Sequence, residues 1–462
     1  MERKVTWEQY SKEDLKKIFS FAEGYKAFLS KCKTERECVN EFVIRAKQEG
    51  YHDLKDIIRE ERKLEAGDKI YVNHMGKCFV SFILGKNDLS QGMNILGAHI
   101  DSPRIDLKQN PLYEDNGLAM LDTHYYGGIK KYQWVTIPLA LHGVIAKKDG
   151  TVIPMVIGEK DSDPVLGISD LLVHLAADQM DKKAAKVIEG ENLDIMAASM
   201  PLMGKNDLRE AVSANLLHIL KEDYNIEEED FLSAEIEAVP AGTAKDYGFD
   251  RSMVMGYGHD DRVCAYSSFE AMLQIKGIPD TTSVCILVDK EEVGNQGATG
   301  MFSRFFENAV AEILNAIGNY NEINVRRALS NSRMISSDVS AGYDPNYPSV
   351  FEKKNTAFCG KGLVFNKYSG VRGKRDANDA NAEFIADIRK IMDEAGVCFQ
   401  TAELGKVDQG GGGTIAHILA RYGMQVLDGG IAVINMHAPW EIVSKADLYE
   451  AWKGYIAFLK KA

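Results

Sequence analysis

Short apolar runs alternate with longer stretches of helical spacing along most of this chain. Residues 11–49 repeat apolar side chains at the spacing of two amphipathic helices. From Asp260 onward, helical patterns again alternate with apolar strands, as where Ser283–Val288 precedes Met301–Ile317. Apolar strands separated by helices are typical of a mostly parallel sheet covered by helices on both faces. The outer parts of the chain therefore predict an α/β fold with a mostly parallel central sheet.

The pattern becomes strand-rich in residues 103–255. Two apolar runs, Trp134–Ala146 and Val152–Ile157, flank the dipeptide Asp149-Gly150, which is a strong signal for a β-hairpin. Two helices and one more strand are also predicted in this section: Ser169–Lys186, Leu208–Asp223 and Phe231–Val239. Because the helix and strand alternation of the first part resumes only afterwards, we predict that this section is an insertion.

The length of the chain agrees with more than one domain. The composition, with 45% hydrophobic and 27% charged residues, is that of an ordinary folded protein. At 462 residues, the chain is too long for one small core. We predict a catalytic domain formed by residues 1–102 and 256–462. Residues 103–255 form the predicted strand-rich domain inserted within it.

Charge and cysteine content exclude several classes of function. Acidic residues exceed basic ones by 68 to 55, and no basic stripe stands out, so we expect no nucleic-acid partner. No apolar stretch approaches the length of a membrane span, and the first residues lack the apolar core of a signal peptide. The seven cysteines are an odd number and widely spread, which favours reduced thiols. A cytoplasmic location is predicted.

Histidines and acids stand where several predicted strands end and, in one case, just before a predicted helix. These residues are His99, Asp101, Asp260, Glu291, Glu292, Asp338 and His437. Imidazole and carboxylate together, without paired cysteines, form the ligand set of Zn²⁺ or Mn²⁺ in a hydrolytic site. Two ions that share one bridging carboxylate would use two histidines and three carboxylates. Of the adjacent pair Glu291 and Glu292, one could bind a metal while its neighbour handles a proton. The pattern indicates a hydrolase with two metal ions.

Five segments of this chain resemble motifs of the aspartyl-aminopeptidase family of dinuclear zinc exopeptidases and follow one another in the same order as in that family. They are Gly97–Arg104, His259–Arg262, Asp289–Gly294, Ser336–Ser340 and Met436–His437, and they span most of the chain. The resemblance implies a zinc-exopeptidase fold whose inserted strand-rich domain makes dimer contacts. It also implies two divalent ions, most simply zinc, with manganese or cobalt as alternatives.

The resemblance implies a role for each of these histidines and acids. His99 and Asp338 would hold one metal ion, Glu292 and His437 the other, and Asp260 would bridge both. Glu291 would be the general base, and Asp101 would accept a hydrogen bond from the imidazole of His99. The implied substrates are peptides, from which N-terminal residues are removed. The implied assembly is a tetrahedral homo-dodecamer built from dimers.

Two segments leave the preferred N-terminal residue open. Ile168–Leu175 lies where the family places a histidine donated by a neighbouring subunit, and Arg372–Arg375 lies in the region of a lysine that reads an acidic side chain. Neither segment matches the family pattern closely. Two other functions also remain open: a metal-dependent deacylase or amidohydrolase acting on N-acyl amino acids, and a non-catalytic assembly protein.

Overall fold

The computed structural model describes residues 4–204 and 210–461. Its α-helices are α1 (Lys12–Lys31), α2 (Glu35–Gln48), α3 (Leu54–Arg59), α4 (Ala177–Met180), α5 (Ala211–Tyr224), α6 (His259–Leu273), α7 (Phe305–Ile317), α8 (Glu322–Ser330), α9 (Ala382–Glu394), α10 (Ala416–Ala420) and α11 (Lys445–Lys461). Its first ten strands are β1 (His52–Asp53), β2 (Lys69–His74), β3 (Cys78–Ile83), β4 (Met93–His99), β5 (Arg104–Asp115), β6 (Leu118–Tyr126), β7 (Leu139–Ala146), β8 (Val152–Ile157), β9 (Ile195–Ala198) and β10 (Ala234–Pro240). The other ten are β11 (Lys245–Tyr247), β12 (Met253–Gly256), β13 (Thr282–Val288), β14 (Arg333–Ser336), β15 (Ser340–Ala341), β16 (Leu363–Asn366), β17 (Phe399–Thr401), β18 (Gln425–Gly430), β19 (Ala432–Ile434) and β20 (Glu441–Ser444). None of the helices in these two ranges combines the length and apolar character of a membrane span.

The described residues divide into two compact units. The larger unit comprises residues 4–101, 244–436 and 441–461. The smaller unit comprises the described residues of Ser102–Thr243, together with the short segment His437–Trp440. The catalytic and dimerisation roles of the two predicted domains stay predictions, and the units are described separately below.

The larger unit is built on a nine-stranded sheet in the order β1-β2-β3-β13-β4-β14-β18-β16-β17. The four strands at its centre, β13, β4, β14 and β18, run parallel to one another. Antiparallel pairs join β2 to β3, β3 to β13, and β16 to β18. The predicted mostly parallel sheet is confirmed, with antiparallel strands towards its margins.

Alternate side chains of the central strands enter two separate hydrophobic clusters. In β13, Val284, Ile286 and Val288 join the cluster that contains α3, α7, α8 and α10, whereas Cys285 and Leu287 join the cluster that contains α1, α2, α6, α9 and α11. All seven residues of β13 are buried, as are all seven of β4. Because helices cover both faces, these strands are buried along their whole length and mostly apolar.

A second sheet of the larger unit contains five strands in the order β11-β12-β20-β19-β15. Strand β20 lies at its centre and pairs antiparallel with both β12 and β19. Gly256, at the end of β12, is opposite Glu441, at the start of β20. Helix α6 begins only three residues after Gly256, so a short connection links this sheet to the start of α6.

The smaller unit contains a six-stranded antiparallel sheet in the order β8-β7-β10-β5-β6-β9. The predicted hairpin is confirmed: β7 pairs with β8, and Gly150 adopts a left-handed conformation with φ 89° in the turn between them. Buried and more exposed residues alternate along β8 and along most of β6. This alternation is typical of a sheet with one covered face.

The helix predicted over Ser169–Lys186 is wrong. The structure has only one-turn segments there, at Val173–Leu175, Ala177–Met180 and Ala184–Lys186. The apolar side chains that suggested a helix face, such as Leu172 and Leu175, are more than half exposed. An isolated helix needs a packed apolar face to be stable, and within a single chain this segment has none.

The other helix and strand predicted within residues 103–255, and the strand predicted from Trp134, are correct in type but not in extent. The strand predicted from Trp134 begins only at Leu139, because Thr136 is left-handed and Pro138 has no N–H to donate. The strand predicted over Phe231–Val239 is Ala234–Pro240, since Phe231 belongs to a 3-10 turn. The predicted helix Leu208–Asp223 is Ala211–Tyr224, and Leu208 lies outside the described residues.

Candidate active site

The central parallel strands end close together and carry acids and a histidine at that edge. His99 is the last residue of β4 and lies opposite Val288, the last residue of β13. Glu291 follows Val288 by three residues, and Asp338 follows the end of β14 by two. The carboxyl ends of parallel strands are where α/β sheets place their ligand sites. The predicted convergence of these side chains at one edge is what the structure shows.

His99 lies at the centre of the group, with 1% of its surface exposed. Its Nδ1–H donates to the backbone carbonyl of Asp101 at 2.9 Å, which leaves Nε2 to face the other acids. Nε2 lies 3.1 Å from Oδ1 of Asp260 and 4.0 Å from a carboxylate oxygen of both Glu291 and Asp338. The tautomer required for Nε2 to bind a metal ion is therefore the one that Asp101 selects.

Asp101 organises the glutamate pair as well as the histidine. Its fully buried carboxylate accepts the backbone N–H of Glu291 on Oδ1 and that of Glu292 on Oδ2, each at 3.2 Å. Oδ1 also lies 3.3 Å from Nδ1 of His99, farther than the backbone carbonyl. The expected contact with the imidazole is thus made mainly through the backbone, and the carboxylate serves the glutamate turn.

Glu291 and Glu292 occupy a single 3-10 turn, Glu291–Val293. Left-handed residues stand on both sides of it, Lys290 with φ 68° and Gly294 with φ 87°. Strand β13 therefore stops abruptly, and the two glutamates project from a tight turn rather than from a continuing strand. Both are partly buried, which suits groups that meet a substrate or an ion.

Asp260 is buried at the beginning of α6, with 3% of its surface exposed. Its backbone angles, φ −78° and ψ 105°, are not helical. Its N–H donates to Oε2 of Glu441 at 3.0 Å. The sequence reasoning missed Glu441, although an acid that opens the otherwise apolar and buried strand Glu441–Ser444 is a usable signal.

Asp338 stands beside a glycine that allows a close backbone approach. A Cβ on Gly430, the last residue of β18, would lie 1.9 Å from the carbonyl oxygen of Asp338. The Asp338 side chain is 14% exposed, and its Oδ1 is the atom that lies 4.0 Å from Nε2 of His99. Position 430 therefore has no room for a side chain while Asp338 keeps this place.

Two sets of side chains in the larger unit have the spacing of metal ligands. His99, Asp260 and Asp338 form one set, and His99, Glu291 and Glu292 form the other; within each set the ligand atoms lie within 4.8 Å of one another. A nitrogen with hard carboxylate oxygens at this spacing fits Zn²⁺ or Mn²⁺. The donor set present is therefore suited to divalent cations.

The electrostatics of the group also favour cations. Burial and the neighbouring charges of Asp261, Asp260 and Glu291 raise the pKa of Asp338 well above its ordinary value. For His99, burial opposes the charged form, but hydrogen bonds with Asp101 and Asp260 raise its pKa overall. Crowded carboxylates repel one another, and a bound dication relieves that repulsion.

His437 is the first residue of the short segment that belongs to the smaller unit. It follows β19 by three residues and is left-handed, with φ 64°. Its Nδ1–H donates to the carbonyl of Gly128 in the same unit at 2.9 Å. As at His99, this bond leaves Nε2 as the nitrogen that can bind a metal ion.

His259, beside Asp260, has a structural environment. It is fully buried, and its Nδ1 lies 2.6 Å from the hydroxyl of Tyr25. Burial lowers its pKa to about 3, so the ring is neutral. Among the described residues, His259 does not belong to the sets with ligand spacing.

Arg372, Gly373 and Lys374 of the basic segment Arg372–Arg375 line a cavity of about 210 Å³. Tyr368 and the loop 403–411 form other walls, and the cavity holds both basic side chains and the acids Glu403 and Asp408. The phenol of Tyr368 donates to Glu403 at 2.7 Å. Mixed charges of this kind do not by themselves select an acidic or a basic ligand.

A parallel sheet whose edge gathers imidazole, carboxylate ligands and a further glutamate defines a metal-dependent hydrolase of the zinc-exopeptidase class. The family described as "Aminopeptidase I zinc metalloprotease (M18)" matches residues 28–459. The chain belongs to this family.

Named relatives cover nearly the whole chain. A probable M18 family aminopeptidase 1 of Clostridium acetobutylicum is 61% identical over 458 residues, covering 99% of this chain and 98% of the relative. One from Thermotoga maritima is 45% identical over 462 residues, covering 100% of this chain and 99% of the relative.

Solved structures agree with the fold. The crystal structure of aminopeptidase I from Clostridium acetobutylicum superimposes with a TM-score of 0.93 at 59% identity, covering 99% of both chains. That of the Thermotoga maritima M18 aminopeptidase gives 0.94 at 44% identity, covering 100% of both. The predicted zinc-exopeptidase fold and metallo-aminopeptidase activity are confirmed, and the deacylase and non-catalytic alternatives find no support.

Proposed function

We propose that His99 and Asp338 hold one of two metal ions, that Glu292 and His437 hold the other, and that Asp260 bridges them. The observation that supports this is the overlap of the ligand sets: Asp260 shares one set with His99, while Glu292 occupies a second set that also contains His99. Oδ1 of Asp260 lies 3.1 Å from Nε2 of His99, the residue that the two sets share. His437 supplies an Nε2 whose ring partner nitrogen is already bonded.

Divalent ions held by these residues would supply Lewis-acid chemistry, lowering the pKa of a water molecule and stabilising the negative charge that develops on the scissile carbonyl oxygen. Glu291 would take the proton from the attacking water and deliver it to the nitrogen of the leaving amine. Its backbone N–H is held by Asp101, which aims the side chain independently of the substrate. Glu292, held by the other oxygen of Asp101, would remain a ligand.

The substrates are peptides with a free N-terminus, and the products are single amino acids and shortened peptides. The preferred N-terminal side chain is a question for the assay, because the cavity beside Arg372–Arg375 offers both signs of charge. A panel of aminoacyl-anilides with acidic, apolar and basic residues would rank the candidates. Relative kcat/KM values would then define the specificity of the site.

The smaller unit supports an assembly of many copies. It exposes an unusual number of large apolar side chains within a short stretch of sequence: Val165, Leu171, Leu172, Val173, Leu175, Met180, Met196, Met200 and Met203. Exposed apolar surface of this kind usually marks an interface. The S. cerevesiae mApe1 dodecamer has a similar fold, with a TM-score of 0.76 at 21% identity. A tetrahedral homo-dodecamer built from dimers is the assembly that we propose, with contacts through the smaller unit.

A cytoplasmic location fits the cysteines of the chain. Five of the seven are buried and the other two are partly buried, and all seven are free thiols. Reduced thiols persist in the cytoplasm and are unusual in secreted proteins.

Metal analysis tests the ligand assignment most directly. Wild-type protein should bind two equivalents of Zn²⁺ per chain. His437→Ala and Asp338→Ala should each retain about one equivalent, because each removes a ligand from a different ion. His52→Ala, at an exposed histidine away from these sets, is the matched control. Two tight equivalents in His437→Ala would contradict the proposal.

A further inference from the structure

We infer that Glu441 is a positioning residue for the bridging carboxylate, because it accepts the backbone N–H of Asp260 while His99 contacts the Asp260 carboxylate. The inference rests on the proposed function, in which Asp260 contacts both ions. Glu441 bears on the site through the N–H of Asp260, which donates to its Oε2 at 3.0 Å.

The start of α6 needs an acceptor at this position. Asp260 has a non-helical ψ of 105°, so its amide stands apart from the regular hydrogen bonds of the helix that follows. The residue is 3% exposed, and a buried N–H without a partner costs about 1–3 kcal/mol. Glu441 removes that cost with a charged acceptor, which makes the stronger kind of hydrogen bond.

Glu441 is well placed to fix Asp260 because its own position is rigid. It opens β20, the central strand of the five-stranded sheet, and is opposite Gly256 of β12. Only three residues separate Gly256 from Asp260 along the chain. Glu441 is 1% exposed, so few rotamers are available to it.

Asp260 is therefore held by two different sheets. Its backbone is tied to β20 of the five-stranded sheet through Glu441, and its carboxylate is tied to β4 of the nine-stranded sheet through His99 at 3.1 Å. A bridging ligand must satisfy two ions at once, so small errors in its position affect both. Outer hydrogen-bond partners of metal ligands commonly change metal affinity by about 10–100-fold when removed.

A purely structural role is the alternative, and one pair of variants separates the two. Glu441→Asp keeps the charge but is one methylene shorter and cannot reach the Asp260 amide. Glu441→Gln loses the charge but keeps an oxygen acceptor at the same reach. If the hydrogen bond positions Asp260, the aspartate variant should bind Co²⁺ and Zn²⁺ about tenfold more weakly, and the glutamine variant should stay within about threefold of wild type.

The readouts do not depend on turnover. Zn²⁺ affinity is measured by competition with a chelator of known affinity, and the visible absorption of Co²⁺-loaded protein reports the coordination geometry. We expect the Co²⁺ spectrum of Glu441→Asp to change and that of Glu441→Gln to match wild type. With anilide substrates, kcat should fall in Glu441→Asp while KM changes little, because the substrate itself is not contacted by Glu441.

Glu450→Ala is the matched control. Glu450 is also fully buried in the larger unit, and it accepts the backbone N–H of Cys398 at 2.6 Å. Its loss should lower the melting temperature without changing Zn²⁺ affinity.

Three results would overturn the inference. One is a Glu441→Asp variant that binds metal as wild type does, and another is a glutamine variant that is weakened as much as the aspartate variant. The third is a loss of melting temperature alone, as in Glu450→Ala. Failure of the proposed function would look different, because wild-type protein would then bind no Co²⁺, which overturns both ideas, or Glu291→Gln would keep its turnover.

Discussion

The two large sheets of this protein differ in how they are buried. This difference decides whether a sheet offers strand ends for a ligand site or an open face for partners. In the nine-stranded sheet of the larger unit, β4 and β13 are buried along their whole length. In the six-stranded sheet of the smaller unit, β8 alternates between exposed and covered residues. A sheet covered on both faces has only its strand ends left for chemistry, whereas a sheet with one open face has surface left for partners.

The contrast explains why the candidate site residues lie so close together. Strands that cannot shift sideways deliver His99, Glu291 and Asp338 to one edge in a fixed register. In the smaller unit, the segment that contains Leu172 and Leu175 leaves its apolar side chains exposed instead of forming a helix. Rigid placement and available surface are thus assigned to different parts of the chain.

Removal of metal should have the largest effect on activity. Dialysis against a chelator is expected to lower the hydrolysis of aminoacyl-anilides by at least about 10³-fold, since several kcal/mol of transition-state stabilisation are lost. Zn²⁺, Mn²⁺ or Co²⁺ added back should restore activity. Protein dialysed without chelator is the control, and activity that survives chelation would contradict the account.

A methyl group at position 430 should disturb the edge of the nine-stranded sheet at Asp338. In Gly430→Ala, the new Cβ would meet the carbonyl oxygen of Asp338 at 1.9 Å and displace that residue. A misplacement of about 1 Å near a reacting centre costs on the order of 10²-fold in rate. We expect kcat/KM to fall by that amount and Zn²⁺ affinity to fall with it.

Gly190→Ala in the smaller unit is the control for the Gly430 variant. The nearest atom to a Cβ there is 3.5 Å away, an ordinary contact. If Gly430→Ala behaves like Gly190→Ala in both assays, the tight packing behind Asp338 does not matter for the site.

The same substitution, valine to alanine, made in each sheet should show how the difference in burial affects stability. Val284 of β13 is fully buried, whereas Val156 of β8 is 46% exposed. Val284→Ala should lower the free energy of unfolding of the larger unit by about 2–3 kcal/mol, from lost transfer energy and the cavity. Val156→Ala should change stability by less than about 0.5 kcal/mol. Scanning calorimetry of both variants measures the contrast, and equal losses would refute it.

The smallest effect on the chemistry is expected from a charge placed on the open surface of the smaller unit. Leu175, 70% exposed, is the most suitable position. Leu175→Glu should shift the protein from the proposed dodecamer to smaller species in light scattering, because a charge in an apolar interface costs several kcal/mol. Zn²⁺ content per chain should be unchanged. An unaltered mass would show that assembly uses another surface.

The sequence predicted well those features that depend on local pattern. Continuous apolar runs identified β4 and β13. The histidine at the end of β4 and the glutamate after the end of β13 identified His99 and Glu291 as residues at one edge of the sheet. Asp149-Gly150 identified the β7 and β8 hairpin. In each case neighbouring residues carry the whole physical signal, whether it is burial on two faces or a left-handed turn.

Features that join distant parts of the chain could not be predicted in this way. Glu441 bonds to Asp260 across 181 positions, and Gly430 matters only because Asp338 passes beside it. The failed helix at Ser169–Lys186 shows the converse problem. Its apolar spacing is real, but those side chains remain exposed in the single chain, so the pattern indicates surface rather than a packed helix.

The most direct test of the central claim is the rate of N-terminal residue release by Glu291→Gln at the same Zn²⁺ occupancy as wild type. The account predicts a kcat lower by about 10²–10⁴-fold with unchanged metal affinity, because Glu291 moves the proton and is not itself a ligand. Glu322→Gln, on an exposed face of α8, should match wild type. Undiminished release by Glu291→Gln, or release only from N-acylated substrates, would contradict the account.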